Sequence, residues 1–287
     1  MNSPRRPGRP VQTRHRGPAL LLRAVPYGEA DAVFTFFFRD LGRAAGLARN
    51  ARRAPTGRRR AMQVDAMHTL DVTVDEASGG GGGELLHVRE ARIDRPRVRL
   101  IADLDRLDAA GRALRWARQA TPARAPEPDL WELLVTLLDH LDDAADPVTP
   151  EARLAGAGLR LLAVLGYGLS FEACVRCGRT CEPGRAAMLD PPGGGLVCRA
   201  CGGGPFRLSA DERARAERAA AGDDTAFGPG DAAAALGWVE EALAVHAPPP
   251  ARGARAMRTP PAPPVASDRD EPNEPGHAPR EPDERGD

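Results

Sequence analysis

Between residue 19 and about residue 100 the apolar positions fall in short runs with a two-residue alternation. Five of these runs read as strands, at 19–25, 32–38, 41–48, 67–74 and 85–93. Turn signals separate most of them: Pro26-Tyr27-Gly28, Asp40-Leu41-Gly42 and the five glycines at 79–83. Five short strands in about 80 residues predict a small closed barrel. Phe34, Phe36 and Phe38 share one strand face and are assigned to its core. Phe37 points the other way and is the better candidate for a surface contact. The glycine run reads as a slack hairpin loop, because it lacks the GK[ST] ending and the following helix of a phosphate-binding loop.

From Asp103 the period changes. Leu104, Leu107, Ala110, Ala113, Leu114 and Ala117 recur at three- and four-residue steps, as do Leu130, Leu133, Leu134, Leu137, Leu138 and Leu141, so two amphipathic helices are predicted. A third is expected at 150–165, with Thr149 as N-cap, Pro150 in the first turn and Gly166 as its stop. Two more are expected at 209–221 and 231–245, the former opening on the capping-box sequence Ser209-Ala210-Asp211-Glu212. Residues 1–18 are rich in Pro and Arg, and residues 248–287 are Pro-rich and then acidic, with no apolar period in either. Both are expected to be disordered tails, a basic arm and an acidic one.

Composition narrows the class. With 42% hydrophobic residues the chain has enough apolar material for real cores, but aromatics are only 4%, so those cores must rest on Leu, Val and Ala. All 40 positive side chains are arginines, against 40 carboxylates, and the net charge is zero. That balance argues against a histone-like protein and leaves local patches open. The absence of lysine is the signature of a GC-rich genome, so arginine abundance alone is weak evidence of a nucleic-acid partner. No run approaches the ~18 apolar residues of a membrane span, and no signal-peptide core precedes Pro18; a cytoplasmic location is expected.

In that reducing setting paired cysteines point to metal. Cys174-x-x-Cys177 and Cys198-x-x-Cys201 supply two CxxC turns twenty residues apart, the spacing of a tetrahedral zinc site, with Gly178 and Gly202 permitting the positive φ of each turn. Four protein ligands leave no position for water, so one structural Zn2+ per chain is expected. The alternative is thiol–disulfide chemistry, but no βαβ unit surrounds the motif. None of the six histidines is followed by x-Glu, which excludes the zinc deaminase signature. Cys181 reads as a spare thiol near the site.

The densest basic stretch of the barrel runs from Arg39 to Arg60. It holds Arg39, Arg43, Arg49, Arg52, Arg53, Arg58, Arg59 and Arg60 against the single carboxylate Asp40. Two readings fit that charge equally: a track for nucleic-acid phosphates, which gains affinity by counterion release, or a solvated arginine-rich loop. Here the sequence resembles a known family. The segment at 19–31, ALLLRAVPYGEAD, followed by FTFFFRDLG at 34–42 and ARNARR at 48–53, is similar to the N-terminal signature of the RecO family. LLAVLGYGL at 161–169, running into Cys174-x-x-Cys177-Gly178, resembles that family's helix leading into its zinc module. The resemblance spans residues 19 to about 245. Asn50 stands where the family often has glycine, arginine replaces every lysine, and the loop at 76–84 is unusually glycine-rich.

The resemblance implies an α+β multidomain protein: an N-terminal OB-fold β-barrel at 19–100 that binds DNA, then an all-α domain at 101–247 with an inserted four-cysteine zinc module at 171–206. It implies a non-enzymatic mediator of recombinational repair that binds single- and double-stranded DNA and anneals complementary strands. Such a protein contacts RecR and the C-terminal tail of single-strand binding protein, and so helps load RecA. Nothing catalytic is visible in the chain, neither a Walker A motif, a nucleophile elbow nor HExxH. Arg43, Arg49, Arg52 and Arg53 are the expected phosphate contacts, with Arg23 weaker; Tyr27 either stacks on a base or packs on the barrel. The helices around 133–141 and 159–165 are candidates for an apolar groove rimmed by arginine that would take the acidic tail. A protein-binding scaffold without direct DNA contact is the competing reading.

Overall fold

The computed structural model describes residues 13–52, 62, 64–76, 85–223, 225–228 and 230–247. Its N-terminal part is a closed barrel of β1 (Arg14–Tyr27), β2 (Asp31–Phe38), β3 (Gly42–Ala48), β4 (Thr69–Asp75) and β5 (Leu85–Arg95), in the cyclic order β1-β2-β3-β5-β4. All neighbours are antiparallel except β3 and β5, which run parallel with Ala45 opposite Leu85. The alternation does what the sequence predicts: Phe34, Phe36 and Phe38 fill the barrel with Leu21, Leu70, Val72, Val74 and Leu86.

Two expectations need correction. The sequence pattern extends the basic arm to residue 18, but Arg14 to Pro18 form the first part of β1, paired with Asp75 to Asp71 of β4. Charge holds this part of the strand where an apolar pattern is missing. Asp75 is 1% exposed and takes 2.8 Å and 2.6 Å contacts from Arg14 and Arg89, while Asp71 takes Arg16 at 2.6 Å and Arg92 at 3.0 Å. Phe37 does point away from the barrel interior, yet it is 0% exposed and is no surface contact. Together with its cross-strand partner Leu20 it belongs to the helical core, its ring 6.3 Å from that of Trp131. The outer face of a strand is solvent-facing only where nothing docks on it, and here a helix does.

The helical part comprises α1 (Val98–Ile101), α2 (Leu104–Ala120), α3 (Pro128–Asp142), α4 (Pro150–Val164), α5 (Ala210–Ala220) and α6 (Ala232–His246). Asp103 caps α2 by accepting from the backbone N–H groups of Asp105 and Arg106, Thr149 caps α4, and Ser209 with Glu212 completes the capping box of α5. α4 is the central helix, buried from Ala152 to Leu159 on every side. Gly158 allows its neighbours to close in, since a Cβ there would lie 3.0–3.1 Å from Val239 of α6 and Trp116 of α2. Between α4 and α5 a small three-stranded sheet, β6 (Ala187–Asp190), β7 (Gly195–Leu196) and β8 (Phe206–Leu208), in the order β7-β6-β8, carries the cysteine turns.

The barrel and helices are tied together at two places. Arg97, 1% exposed, is paired with Asp139 of α3 at 2.8 Å and donates to the Met67 carbonyl, while Arg95 reaches the other Asp139 oxygen at 2.8 Å. At the start of β3, Gly42 has φ +71°, and a Cβ there would collide with the Ala125 carbonyl. Only glycine lets the α2–α3 loop lie this close to the strand. The glycine run at 79–83, Arg53 and both tails outside 13–247 lie beyond the described residues.

Candidate nucleic-acid interface and metal centre

The register fixes which side chains share the outer face of β1–β2–β3. Cross-strand partners sit on one face, so Leu20, Phe37 and Arg43 form one row, Arg23, Thr35 and Ala45 the next, and Val25, Val33 and Leu47 a third. An irregularity in β1 between Leu21 and Arg23 leaves Leu22 as an extra residue packed against the helical core, and it returns Arg23 to the outer face. Beyond the row of Leu20 and Phe37 the face is open: Arg23 is exposed, Val25 and Tyr27 are 36% and 38% exposed, and Arg49 lies exposed just past the end of β3. From Arg43 to Arg49 the strand covers roughly 20 Å at about 3.3 Å per residue. The result is a strip of apolar and aromatic surface bounded by cations at both ends.

The far end is organised by its turns. Asn50 takes the left-handed conformation, φ +57°, that its place in the motif requires, and its N–H donates to Asp31 Oδ1 at 2.7 Å. The Arg52 N–H donates to the Ala30 carbonyl at 2.9 Å and its guanidinium to the Gly28 carbonyl at 3.3 Å, so the β3 turn is laced to the β1–β2 turn beside Tyr27. Arg49 and Arg52 therefore share one end of the strip. Arg23 and Arg43 occupy the other. Arg43 is half-buried and partly committed: its Nε donates to the Thr121 carbonyl at 2.8 Å, and its own carbonyl accepts from Arg124 N at 2.9 Å.

That second end holds two cations which the sequence reading misses. Arg115 and Arg118 of α2 stand three residues apart, on one side of the helix. The Arg118 guanidinium is pushed below its ordinary pKa, first by burial and then by Arg23, Arg43 and Arg115. The available signal is the pair of arginines at three-residue spacing, but a helix read for its apolar stripe draws attention away from the cations at its edge.

The cysteines converge as expected. The Sγ atoms of Cys174, Cys177, Cys198 and Cys201 all lie within 4.8 Å of one another. Cys177 and Cys198 are 3.8 Å apart, which is the edge of a tetrahedron with ligands at about 2.3 Å from its centre. Each turn closes on a backbone bond, Gly178 N to the Cys174 carbonyl at 2.8 Å and Cys201 N to the Cys198 carbonyl at 2.9 Å, with φ of +71° at Gly178 and +103° at Gly202. Val175 N bonds the Leu196 carbonyl at 2.9 Å, fastening the first turn to β7. The backbone N–H of Cys198 lowers the Cys174 thiol to about 6, whereas hydrogen bonding with the Cys198 and Cys177 sulfurs pushes Cys201 up to about 12. Four sulfurs so close cannot all ionise without a cation among them. These cysteines can hold one metal ion.

Cys181 lies outside this quartet. Its Sγ accepts from the guanidinium of buried Arg213 at 2.8 Å, and the same guanidinium bonds the carbonyls of Cys181 and Glu182. A further feature is a shallow groove between α3 and α4, lined by Leu133, Leu137 and Ala157 together with Thr136, His140, Arg153 and Arg160. Arg153 is paired with Asp146 at 2.7 Å, both side chains being buried. No helix among the described residues is long and apolar enough to cross a membrane.

Comparison with known proteins bears on both halves. The family profile described as "Recombination protein O N terminal" matches residues 13–94, and "Recombination protein O C terminal" matches residues 101–253. The protein named DNA repair protein RecO from Anaeromyxobacter sp. (strain Fw109-5) is 34% identical over 182 residues, covering 63% of this chain and 68% of the relative. The proteins of that name from Pelobacter propionicus, 34% identical over 64% of this chain and 71% of the relative, and Geobacter sulfurreducens, 33% over 67% and 75%, are similar to the same degree.

Proposed function

Because the chain belongs to the RecO family of recombination and repair proteins, we propose that it acts as a non-enzymatic DNA-binding mediator whose nucleic-acid face is the outer surface of β1–β2–β3. The observation that carries this reading is the strip between the two arginine clusters. Arg23 and Arg43 at one end and Arg49 and Arg52 at the other have no carboxylate within ion-pair distance among the described residues. Between them Tyr27 offers a ring to an unstacked base. An OB-like barrel engages single strands by this combination of phosphate-tracking cations and aromatic platforms. Arg53 extends the same basic segment in sequence and is proposed with it.

Double-stranded DNA would meet the same cations through its phosphates. Holding two strands on a cationic surface lowers their mutual repulsion, which is how such a protein anneals complements without hydrolysing anything. The groove between α3 and α4 is proposed as the seat of the acidic tail of single-strand binding protein. Leu133, Leu137 and Ala157 offer apolar contact to such a tail, and half-buried Arg160 lies at the edge of the groove. RecR is the proposed partner in loading RecA, in the cytoplasm. Zinc is the proposed ion at Cys174, Cys177, Cys198 and Cys201, where it would supply a fourfold covalent staple between the two turns and no reactive position.

The test is fluorescence anisotropy of a labelled single-stranded oligonucleotide across a salt series. The wild type should bind with a steep slope, and Arg49→Ala/Arg52→Ala should lose affinity together with about 1.4 units of log-log slope, at about 0.7 per lost phosphate contact. A folded, metal-loaded wild type that binds no DNA at low salt would leave only the protein-binding scaffold.

A further inference from the structure

We infer that the DNA strand bound on the barrel continues across the junction onto helix α2, where Arg115 and Arg118 contact its backbone phosphates beside Arg23 and Arg43. This rests on the proposed DNA-binding face and extends it into the helical domain.

The geometry at the junction is specific. The chain after α2 runs against the start of β3 in parallel pairing, with Arg43 opposite Ala123, the Arg124 N–H on the Arg43 carbonyl and the Arg43 guanidinium on the Thr121 carbonyl. These contacts bring the last turn of α2 to the edge of the barrel face, on the side of the Arg43 and Arg23 rows. Arg23, Arg43 and Arg115 lie within electrostatic range of Arg118 there, the four coming from three different elements. Burial of Arg118 disfavours its charge first, and these three cations disfavour it further. None of the four has a carboxylate partner among the described residues.

The opposite side of the barrel is a control within the same molecule. There Arg14 and Arg89 converge on Asp75, and Arg16 and Arg92 on Asp71. Where arginines of this barrel serve only to hold strands, acids are placed between them. At the junction no acid is supplied. The carbonyl end of α2 offsets part of the repulsion through its partial negative charge, but about half an elementary charge does not balance four cations. An anion that spans them does, and a phosphate backbone presents its charges in a row with oxygens that guanidinium groups bind in pairs. The cluster is continuous with Val25 and Tyr27 on the same face, so a single strand crossing the apolar strip toward Arg43 is carried onto α2 by the cations that bound that end of the strip.

The experiment compares four full-length zinc-loaded proteins by anisotropy on the same single-stranded oligonucleotide across salt. These are the wild type, Arg49→Ala/Arg52→Ala, Arg115→Ala/Arg118→Ala, and the equal-charge control Arg185→Ala/Arg207→Ala, which removes two exposed arginines from the metal module. The α2 variant is expected to lose about 1.4 units of slope and at least tenfold in affinity at moderate salt, with unchanged thermal stability. The control should match the wild type. If the α2 variant binds as the wild type does while Arg49→Ala/Arg52→Ala is impaired, the strand ends on the barrel and the inference is wrong though the barrel reading stands. An equal loss in the control would mean that total charge, not this junction, sets the affinity, and that outcome overturns it as well. A wild type that binds no DNA removes the underlying reading instead.

Discussion

Asp75 shows how one residue decides the extent of a strand. Its carboxylate, almost fully covered, is drawn from 3.8 to about 2 because the hydrogen bond from Arg14 stabilises the charged form more than burial destabilises it, with Arg89 adding to the effect. A carboxylate depressed in the folded state contributes stability that is present above its unfolded value and lost as pH falls through the folded one. The advantage of the wild type over Asp75→Asn should therefore be full at neutral pH, begin to shrink near the unfolded value of 3.8 and be gone by about 2. Urea denaturation at a series of pH values measures it. A difference between the two proteins that stays constant down to about pH 2 would show that the carboxylate acts through packing and not through its charge. Arg213 is the complementary case, a buried cation satisfied by carbonyls and the Cys181 sulfur, which accounts for a fifth cysteine that the metal geometry does not need.

At the scale of elements, the metal module is built on very short strands, each fastened to the helical core by one buried leucine, Leu189, Leu196 and Leu208. Strands β6, β7 and β8 run four, two and three residues, and a sheet of that size does not hold itself together in water. An ion held by the four cysteines would make up the difference, since ligand binding by thiolates brought together only in the fold is itself folding free energy. Purified protein should contain one equivalent of zinc. Cys181→Ser should keep it, and Cys174→Ser should lose it. Chelation should abolish amide protection in β6–β8 while leaving the barrel strands protected, as read by hydrogen exchange. Persistence of protection in β6–β8 after complete removal of metal would show that the sheet needs no staple.

The same scale shows what can be read in advance. The five barrel strands, the five helices α2 to α6 and the cysteine quartet follow from local rules, because alternation, helical periodicity, capping residues and CxxC spacing are each set within a few residues of chain. Arg14 to Pro18 look like a tail in the sequence because their strand is held by ion pairs with residues some sixty positions away. Phe37 looks like a surface residue for a related reason, since parity gives the side of the strand and not what lies against it. Arg115 and Arg118 attract no notice because their meaning depends on Arg23 and Arg43 arriving from another part of the fold. Short-range patterns carry elements and metal turns; the pairing of distant charges, which makes the proposed interface, has no local signature.

For the molecule as a whole, the contacts that carry Phe37 into the helical core also set how it unfolds. Leu20 and Phe37 of the barrel belong to the same apolar cluster as Trp116, Trp131 and Trp238, and the described barrel and helices lie in one compact unit. Arg97, itself buried, adds an ion pair to half-buried Asp139 across the same boundary. Losing either part would expose the apolar face of the other, so the two should unfold in one cooperative step. The tryptophans all sit in helices, so their fluorescence follows the helical domain, and hydrogen exchange of β1 and β2 follows the barrel; the two denaturation midpoints should coincide. Phe37→Ala removes the central ring of the junction. It should cost about 3–5 kcal/mol and separate the two midpoints, with the barrel melting at lower denaturant. Separate midpoints in the wild type, or a Phe37→Ala variant that still unfolds in one step with little loss, would mean that the barrel stands on its own and that the helical domain only leans on it. That result would also weaken the case for a DNA track crossing between them, because phosphate contacts on both sides of a loose junction cannot act as one surface.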